Sequence, residues 1–180
     1  MVIKIEIKKG KNLLKKDMDL MNKARIKEFG KGEIKNWKKD YPLTTNYFFV
    51  KDRKKVMAFG LLRPIKIRYI NKNYNILGIC SIISIKKGRG YGEILIESMI
   101  NYLKKKNKTG LGFTGKTKFF KKVGLKTKKD FIKRFKYRNP RTSKIKIDND
   151  GDGIYYNGQD NFIKKVLSTK LIIYINIDFW

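Results

Sequence analysis

The chain has 180 residues, with 45 Lys or Arg against 15 Asp or Glu, a formal net charge of +30, no His and one Cys. Without His there is no Ser-His-Asp triad, no Cys-His pair and no His general base, and one Cys cannot build a structural zinc site. Cys80 has no partner for an intrachain disulfide and fits a reducing cytoplasm.

The hydrophobic share of 41% supports a globular core. No apolar run approaches the roughly 18 residues that a membrane span needs, and the Lys-bearing first residues do not form a signal-peptide core. Residues 2–8 alternate apolar and polar side chains, which predicts a half-buried strand. From Asn12 a helix follows, with Leu14, Met18, Met21 and Ala24 on one face, and Gly30 and Gly32 end it. A short helix over Glu33–Lys39 stops before Pro42. Strands are predicted at Asn46–Lys51 and Val56–Leu62, with Pro64 interrupting the ladder or making a bulge before Ile65, Ile67 and Tyr69 resume it. Asn71-Lys72-Asn73 reads as a turn. Ile76–Ile85 carries no charge and reads as a central strand buried on both faces.

The period then changes. Glu93–Lys106 places Ile96, Met99, Ile100 and Leu103 on one helical face. Leu111–Phe113 is a short strand between glycines, and Thr117–Lys122 a short helix stopped by Gly124. Leu125–Arg138 predicts one or two strands with charged edges. Ser143–Ile147 and Ile154–Asn157 read as a hairpin around an Asp/Gly turn, Asp160 as the cap of a helix to Leu167, and Leu171–Ile177 as a last strand. With a crossover after the central strand, this order predicts one α+β or α/β domain over residues 1–180.

The positive charge is uneven. Residues 101–140 hold fifteen basic side chains and one acidic, whereas residues 141–180 are nearly balanced. Such charge attracts polyanions, and Phe119, Phe120, Phe131, Phe135 and Tyr137 interleave with Lys as base-stacking platforms would. Lys, however, far outnumbers Arg, the better match to phosphate geometry. The pattern reads first as a compositional bias towards Lys, and nucleic acid is the less favoured partner.

The most informative stretch is Ile82-Ile83-Ser84-Ile85-Lys86-Lys87-Gly88-Arg89-Gly90-Tyr91-Gly92-Glu93. A buried strand runs into a Gly-rich turn that opens an amphipathic helix. Glycines allow positive φ, and the free N–H groups and dipole of a helix N-terminus hold an anion. It is not a P-loop, because Gly-Lys-Ser/Thr is missing, nor the G-x-G-x-x-G dinucleotide fingerprint. A plain turn before a helix is the bland alternative.

Lys87-Gly88-Arg89-Gly90-Tyr91-Gly92 resembles the acyl-coenzyme A pyrophosphate loop (R/Q-x-x-G-x-G/A) of the GNAT acyltransferases, with Lys87 where Arg or Gln is usual. Phe119-Phe120-Lys121-Lys122-Val123-Gly124-Leu125 is similar to that superfamily's F-Y-x-K-x-G-F segment. The resemblance covers roughly residues 1–137, and 138–180 would extend the sheet. It implies a three-layer fold with a mixed, mostly antiparallel central sheet, splayed at the cofactor site and flanked by helices. It further implies acetyl-coenzyme A as cofactor and direct attack of an amine, on a small molecule or a protein, upon the thioester. Ile82, Ile83 and Ser84 would line the pantetheine arm. Lys87, Gly88, Arg89, Gly90, Tyr91, Gly92 and Glu93 would hold the pyrophosphate, with Phe119, Phe120 and Lys122 also at the cofactor. The Tyr that often protonates the leaving thiolate matches Phe120, which has no hydroxyl. Asp178 and the terminal carboxylate of Trp180 are weak candidates for the proton-transfer roles. The resemblance leaves monomer and homodimer both open.

Asp148-Asn149-Asp150-Gly151-Asp152-Gly153 matches the first half of a calcium loop, but position twelve is Gln159, not the Glu that such loops use. A hairpin turn without a metal is the simpler reading. Asp148, Asp150 and Asp152, with Asp160, also offer negative charge to a cationic acceptor.

Overall fold

The computed structural model describes residues 2–139, 142–149 and 151–177. Asp150, Asp178 and Trp180, named above as candidates, lie outside them. In chain order the elements are β1 (Ile3–Lys9), α1 (Lys15–Phe29), α2 (Trp37–Asp40), β2 (Asn46–Asp52), β3 (Lys55–Tyr69), β4 (Lys72–Ser84), α3 (Tyr91–Lys105), β5 (Gly110–Thr114) and α4 (Thr117–Lys122). They continue with β6 (Lys126–Lys128), β7 (Phe135–Arg138), β8 (Ile145–Ile147), β9 (Asp152–Tyr156), α5 (Phe162–Leu167) and β10 (Ile173–Ile175). The fold is mixed α+β, with a large, mostly antiparallel sheet and flanking helices. Its residues group into two compact units, Met1–Arg63 with Cys80–Met99, and Pro64–Ile79 with Ile100–Trp180.

In the first unit the strand order is β1-β2-β3-β4. β1 runs antiparallel to β2 from Ile3 opposite Asp52 to Lys9 opposite Asn46, and β2 runs antiparallel to β3. Residues 45–50 are all buried. Trp37 stacks on Tyr41 and meets Tyr47 edge-on, at centroid distances of 5.5 and 6.1 Å. Helix α1 starts because the Asp17 carboxylate reaches back to accept the Leu14 N–H at 3.0 Å, and it ends at Gly30, where φ is +100°. The stripe predicted for this helix is displaced. Leu14 is exposed at its start while Leu13 is buried, and the deepest positions of α1 are Met21 and Arg25.

In the second unit the order is β3-β4-β5-β9-β6, beside a small sheet ordered β10-β7-β8. β4 and β5 are parallel and pair at Leu77 with Gly110 and Gly78 with Leu111, the two register pairs of that ladder among the described residues. The next step is close: a Cβ on Gly112 would sit 2.7 Å from the Ile79 carbonyl oxygen, so only glycine fits. The apolar core joins Ile65, Ile67, Tyr74, Phe131, Phe135, Phe162 and Ile173.

Three expectations are corrected here. The segments 143–147 and 154–157 are not a hairpin: β8 pairs with β7, whereas β9 lies between β5 and β6. Burial decides it, since Gly153–Tyr155 are buried and suit the middle of a sheet, while all three residues of β8 are exposed and suit an edge. Pro64 does not interrupt β3, which is continuous through it. The β2 ladder already ends at Leu62 opposite Asn46, so the missing N–H costs no bond to β2. The turn between β3 and β4 falls at Ile70-Asn71, both at positive φ (46° and 58°), rather than at residues 71–73.

Candidate functional site

The Gly-rich turn belongs to the first unit. β4 ends at Ser84, residues 85–90 are exposed, and α3 starts at Tyr91. Gly88 and Gly90 have φ of +72° and +75°, and a Cβ on either would meet nothing within 4 Å. Their glycines answer to backbone conformation rather than to crowding. The turn is tied down at its start, where the Ile85 N–H donates to the Met57 carbonyl at 2.8 Å and the Ser84 hydroxyl to the Lys86 carbonyl at 2.9 Å. It is tied down at its end by Tyr91, a largely buried side chain whose hydroxyl donates to Asp52 Oδ2 at 2.9 Å. That hydrogen bond holds the phenol above its ordinary value. Tyr91 therefore turns its side chain inward and leaves its backbone to the turn. Gly92 and Glu93 follow in the first turn of α3, where a helix has N–H groups to offer.

The flanking charges differ in availability. Lys87 Nζ is ion-paired with Glu28 of α1 at 2.8 Å, which offsets part of its charge, while Arg89 is exposed. Ile83 is buried and Ile82 half-buried, so of the arm-lining trio the first two are largely absorbed by packing.

Upstream on β4 the sequence reading missed a second feature. Ser81 sits at φ +48° within a strand, a conformation that residues with a Cβ avoid. Its hydroxyl accepts from Arg25 Nη1 at 3.0 Å. Arg25 is 6% exposed, donates from Nη2 to Glu33 Oε2 at 2.7 Å and from Nε to the Glu33 carbonyl at 2.9 Å, and lies over the rings of Phe29 and Trp37. Burial raises the Tyr41 and Tyr47 phenols and pushes the Cys80 thiol up to about 12, with Arg63 and Arg25 pulling the thiol back. All three groups are held protonated. The signal for this cluster was present as a cation on the face of α1 that also carries Met18 and Met21, and as a Ser inside an apolar strand.

In the second unit, Phe120 of α4 is buried and meets Phe119 edge-on at 5.2 Å, and Lys122 is exposed. Asp160 is drawn into a structural tie rather than left for a ligand. It accepts from the Thr109 hydroxyl at 2.6 Å, from the Thr109 N–H at 3.1 Å and from the Phe162 N–H at 3.0 Å. Asp152 opens β9 and accepts the Asp130 N–H at 2.8 Å, and Asp148 is half-buried after β8. Among the described residues no group of three or more His, Cys, Asp or Glu is placed to hold a metal ion, and no helix is long and apolar enough to cross a membrane.

No family model and no curated protein sequence matches the chain. Solved structures do. A probable N-acyltransferase from Enterococcus faecalis V583, described as of unknown function, matches at 15% identity and a TM-score of 0.56 over 71% of this chain and 33% of its own. The chain thus spans about a third of that protein. An acyl-CoA N-acyltransferase from Pseudomonas aeruginosa matches at 12% identity and 0.55 over 84% of this chain and 97% of its own. An N-acetyltransferase from Staphylococcus aureus Mu50 matches at 17% and 0.56 over 86% and 97%. The fold is that of the GNAT acyl-coenzyme A N-acyltransferases.

Proposed function

We propose that the chain is an acyl-coenzyme A-dependent N-acyltransferase that moves an acetyl group from acetyl-coenzyme A to an amine on a small molecule or a protein. The observation that carries this reading is the exposed turn at Gly88 and Gly90, set at the head of the fifteen-residue α3 and flanked by Lys86, Lys87 and Arg89. Its conformation, charge and helix dipole suit a diphosphate. Acetyl-coenzyme A would supply the acyl group already activated as a thioester. Backbone N–H groups over residues 88–93 would hold its pyrophosphate, and β4 from Ile82 to Ser84 would orient the arm.

The chain's own contribution to rate would be mostly positioning and polarisation by fixed backbone donors. Phe120 brings no hydroxyl, so a proton donor for the leaving thiolate must come from elsewhere, and proton transfer contributes about 10²–10⁴-fold where it operates. Asp148 and Asp152 would offer negative charge to a cationic acceptor. Calorimetry with acetyl-coenzyme A, followed by thiol release over a panel of amines, tests the reading. Expected are saturable binding and amine-dependent thiol release, and absence of binding overturns it. Binding without release from any amine selects a second reading, a catalytically weak coenzyme A binder, which the Phe at 120 favours.

A further inference from the structure

Ser81 occupies a left-handed backbone conformation, at φ +48°, in the middle of a strand. A residue with a Cβ does not rest there unless its surroundings hold it. The surroundings are specific. Arg25 reaches from α1 to the Ser81 hydroxyl at 3.0 Å. Arg25 itself has little freedom, because Glu33 takes its Nη2 and Nε and the Phe29 and Trp37 rings lie 5.3 and 5.8 Å from the guanidinium carbon. The chain therefore spends a buried cation on a serine of β4, one residue before the segment Ile82–Ser84 that leads into the Gly-rich turn.

A single left-handed residue reverses the pleat locally and re-aims the peptide groups that follow it. We infer that Arg25, acting through Ser81, is a positioning residue for acyl transfer: its hydrogen bond holds the kink that sets where the β4 backbone from Ile82 to Ser84 presents its donors and acceptors. The inference rests on the acyltransferase reading for its catalytic half only, because the clamp on β4 is a property of the folded chain. Glu33 holds the cation, the cation holds the Ser81 hydroxyl, and the kink is the element that this series of contacts fixes.

The test is a double-mutant cycle on the full chain. Arg25→Gln should lower kcat by roughly 10- to 100-fold, the range that a misplacement of about 1 Å produces, with KM for acetyl-coenzyme A nearly unchanged. It should also speed amide hydrogen exchange over residues 80–84. Ser81→Gly should keep most of the activity, since glycine adopts positive φ unaided. In the Ser81→Gly background, Arg25→Gln should have little further effect on either readout, a strong coupling between the two sites. A merely structural Arg25 would instead give the same loss in both backgrounds, and that result overturns the inference, as does unchanged exchange at 80–84 in Arg25→Gln. If Arg25→Gln fails to fold, Arg25→Lys replaces it in the same cycle. If the unaltered protein releases no thiol from any amine, the acyltransferase reading fails on its own, and exchange at 80–84 alone decides the clamp.

Discussion

Each unit has an arginine in a multiple hydrogen-bonding role, and the two are used differently. Arg25 of the first unit binds mostly side chains, the carboxylate of Glu33 and the hydroxyl of Ser81 besides the Glu33 carbonyl, and it ends on a distorted strand beside the candidate cofactor turn. Arg134 of the second unit binds main chain: Nε and Nη2 donate to the Leu171 carbonyl at 3.1 and 2.6 Å, and Nη1 to the Thr169 carbonyl at 2.9 Å, with Val166 O at 3.4 Å. Those carbonyls belong to the end of α5 and the approach to β10, where a helix leaves acceptors without donors. A fork aimed at backbone carbonyls stabilises whatever chain it closes. A fork aimed at a strained residue of the strand that leads into the candidate turn sets a geometry. The first should be read in stability and the second in rate.

The largest expected effect lies in the second unit. Arg134→Ala leaves the Leu171 and Thr169 carbonyls without their donor and should cost about 3 kcal/mol. For a chain of this length that lowers Tm by roughly 6–12 °C, while activity per folded molecule at low temperature stays unchanged. Arg25→Gln should show the reverse balance. Equal effects on rate and Tm in both variants would erase the distinction. Next in size is Asp160→Ala, which removes the tie between the start of β5 and the start of α5. A loss of about 2 kcal/mol is expected by urea unfolding, and an unchanged midpoint would show that the three hydrogen bonds of Asp160 carry no net weight.

A third prediction concerns the first unit and pH. The Cys80 thiol is raised to about 12 by burial from an ordinary value near 9. The native state keeps the proton that the unfolded chain gives up, so this contribution is whole below pH 9 and shrinks as pH rises towards 12. Cys80→Ala, compared with the unaltered chain by urea midpoints between pH 8 and pH 11, should show the shallower decline. The folded protein should also leave Cys80 unmodified by thiol reagents at pH 8, and rapid labelling would contradict the burial argument. The smallest effect is expected at the turn: Tyr91→Phe removes the bond to Asp52 and should weaken coenzyme A binding several-fold in calorimetry by loosening the end of the turn.

What was legible in the chain was set locally. The period of α3, the bounds of α4, and the glycines that punctuate residues 88–92 are written in neighbouring residues, and the structure places these elements within one or two positions of the expectation. Pairing over distance was not legible. The Asp148–Gly153 stretch has the chemistry of a hairpin turn, yet burial of Gly153–Tyr155 takes β9 into the large sheet and leaves β8 at an edge of the small one. Pro64 read as a break because its neighbours on the sheet were unknown. Arg25 and Ser81 are 56 positions apart, and nothing local joins a charge on a helical stripe to a kink in a strand. Only the folded chain brings them together.

Among the described residues the strand order in the second unit closes on β6, three residues long, with Lys126 and Lys128 exposed on it. An unpaired sheet edge is a template on which another chain can continue the sheet, and short strands with lysines are how soluble proteins spoil that template. Part of the positive charge is thus placed where it opposes edge-to-edge pairing. Each lysine on β6 would have to lie against a like charge if a second copy added its own β6 there. The same surplus that attracts polyanions thus also sets like charge against growth of this margin of the sheet.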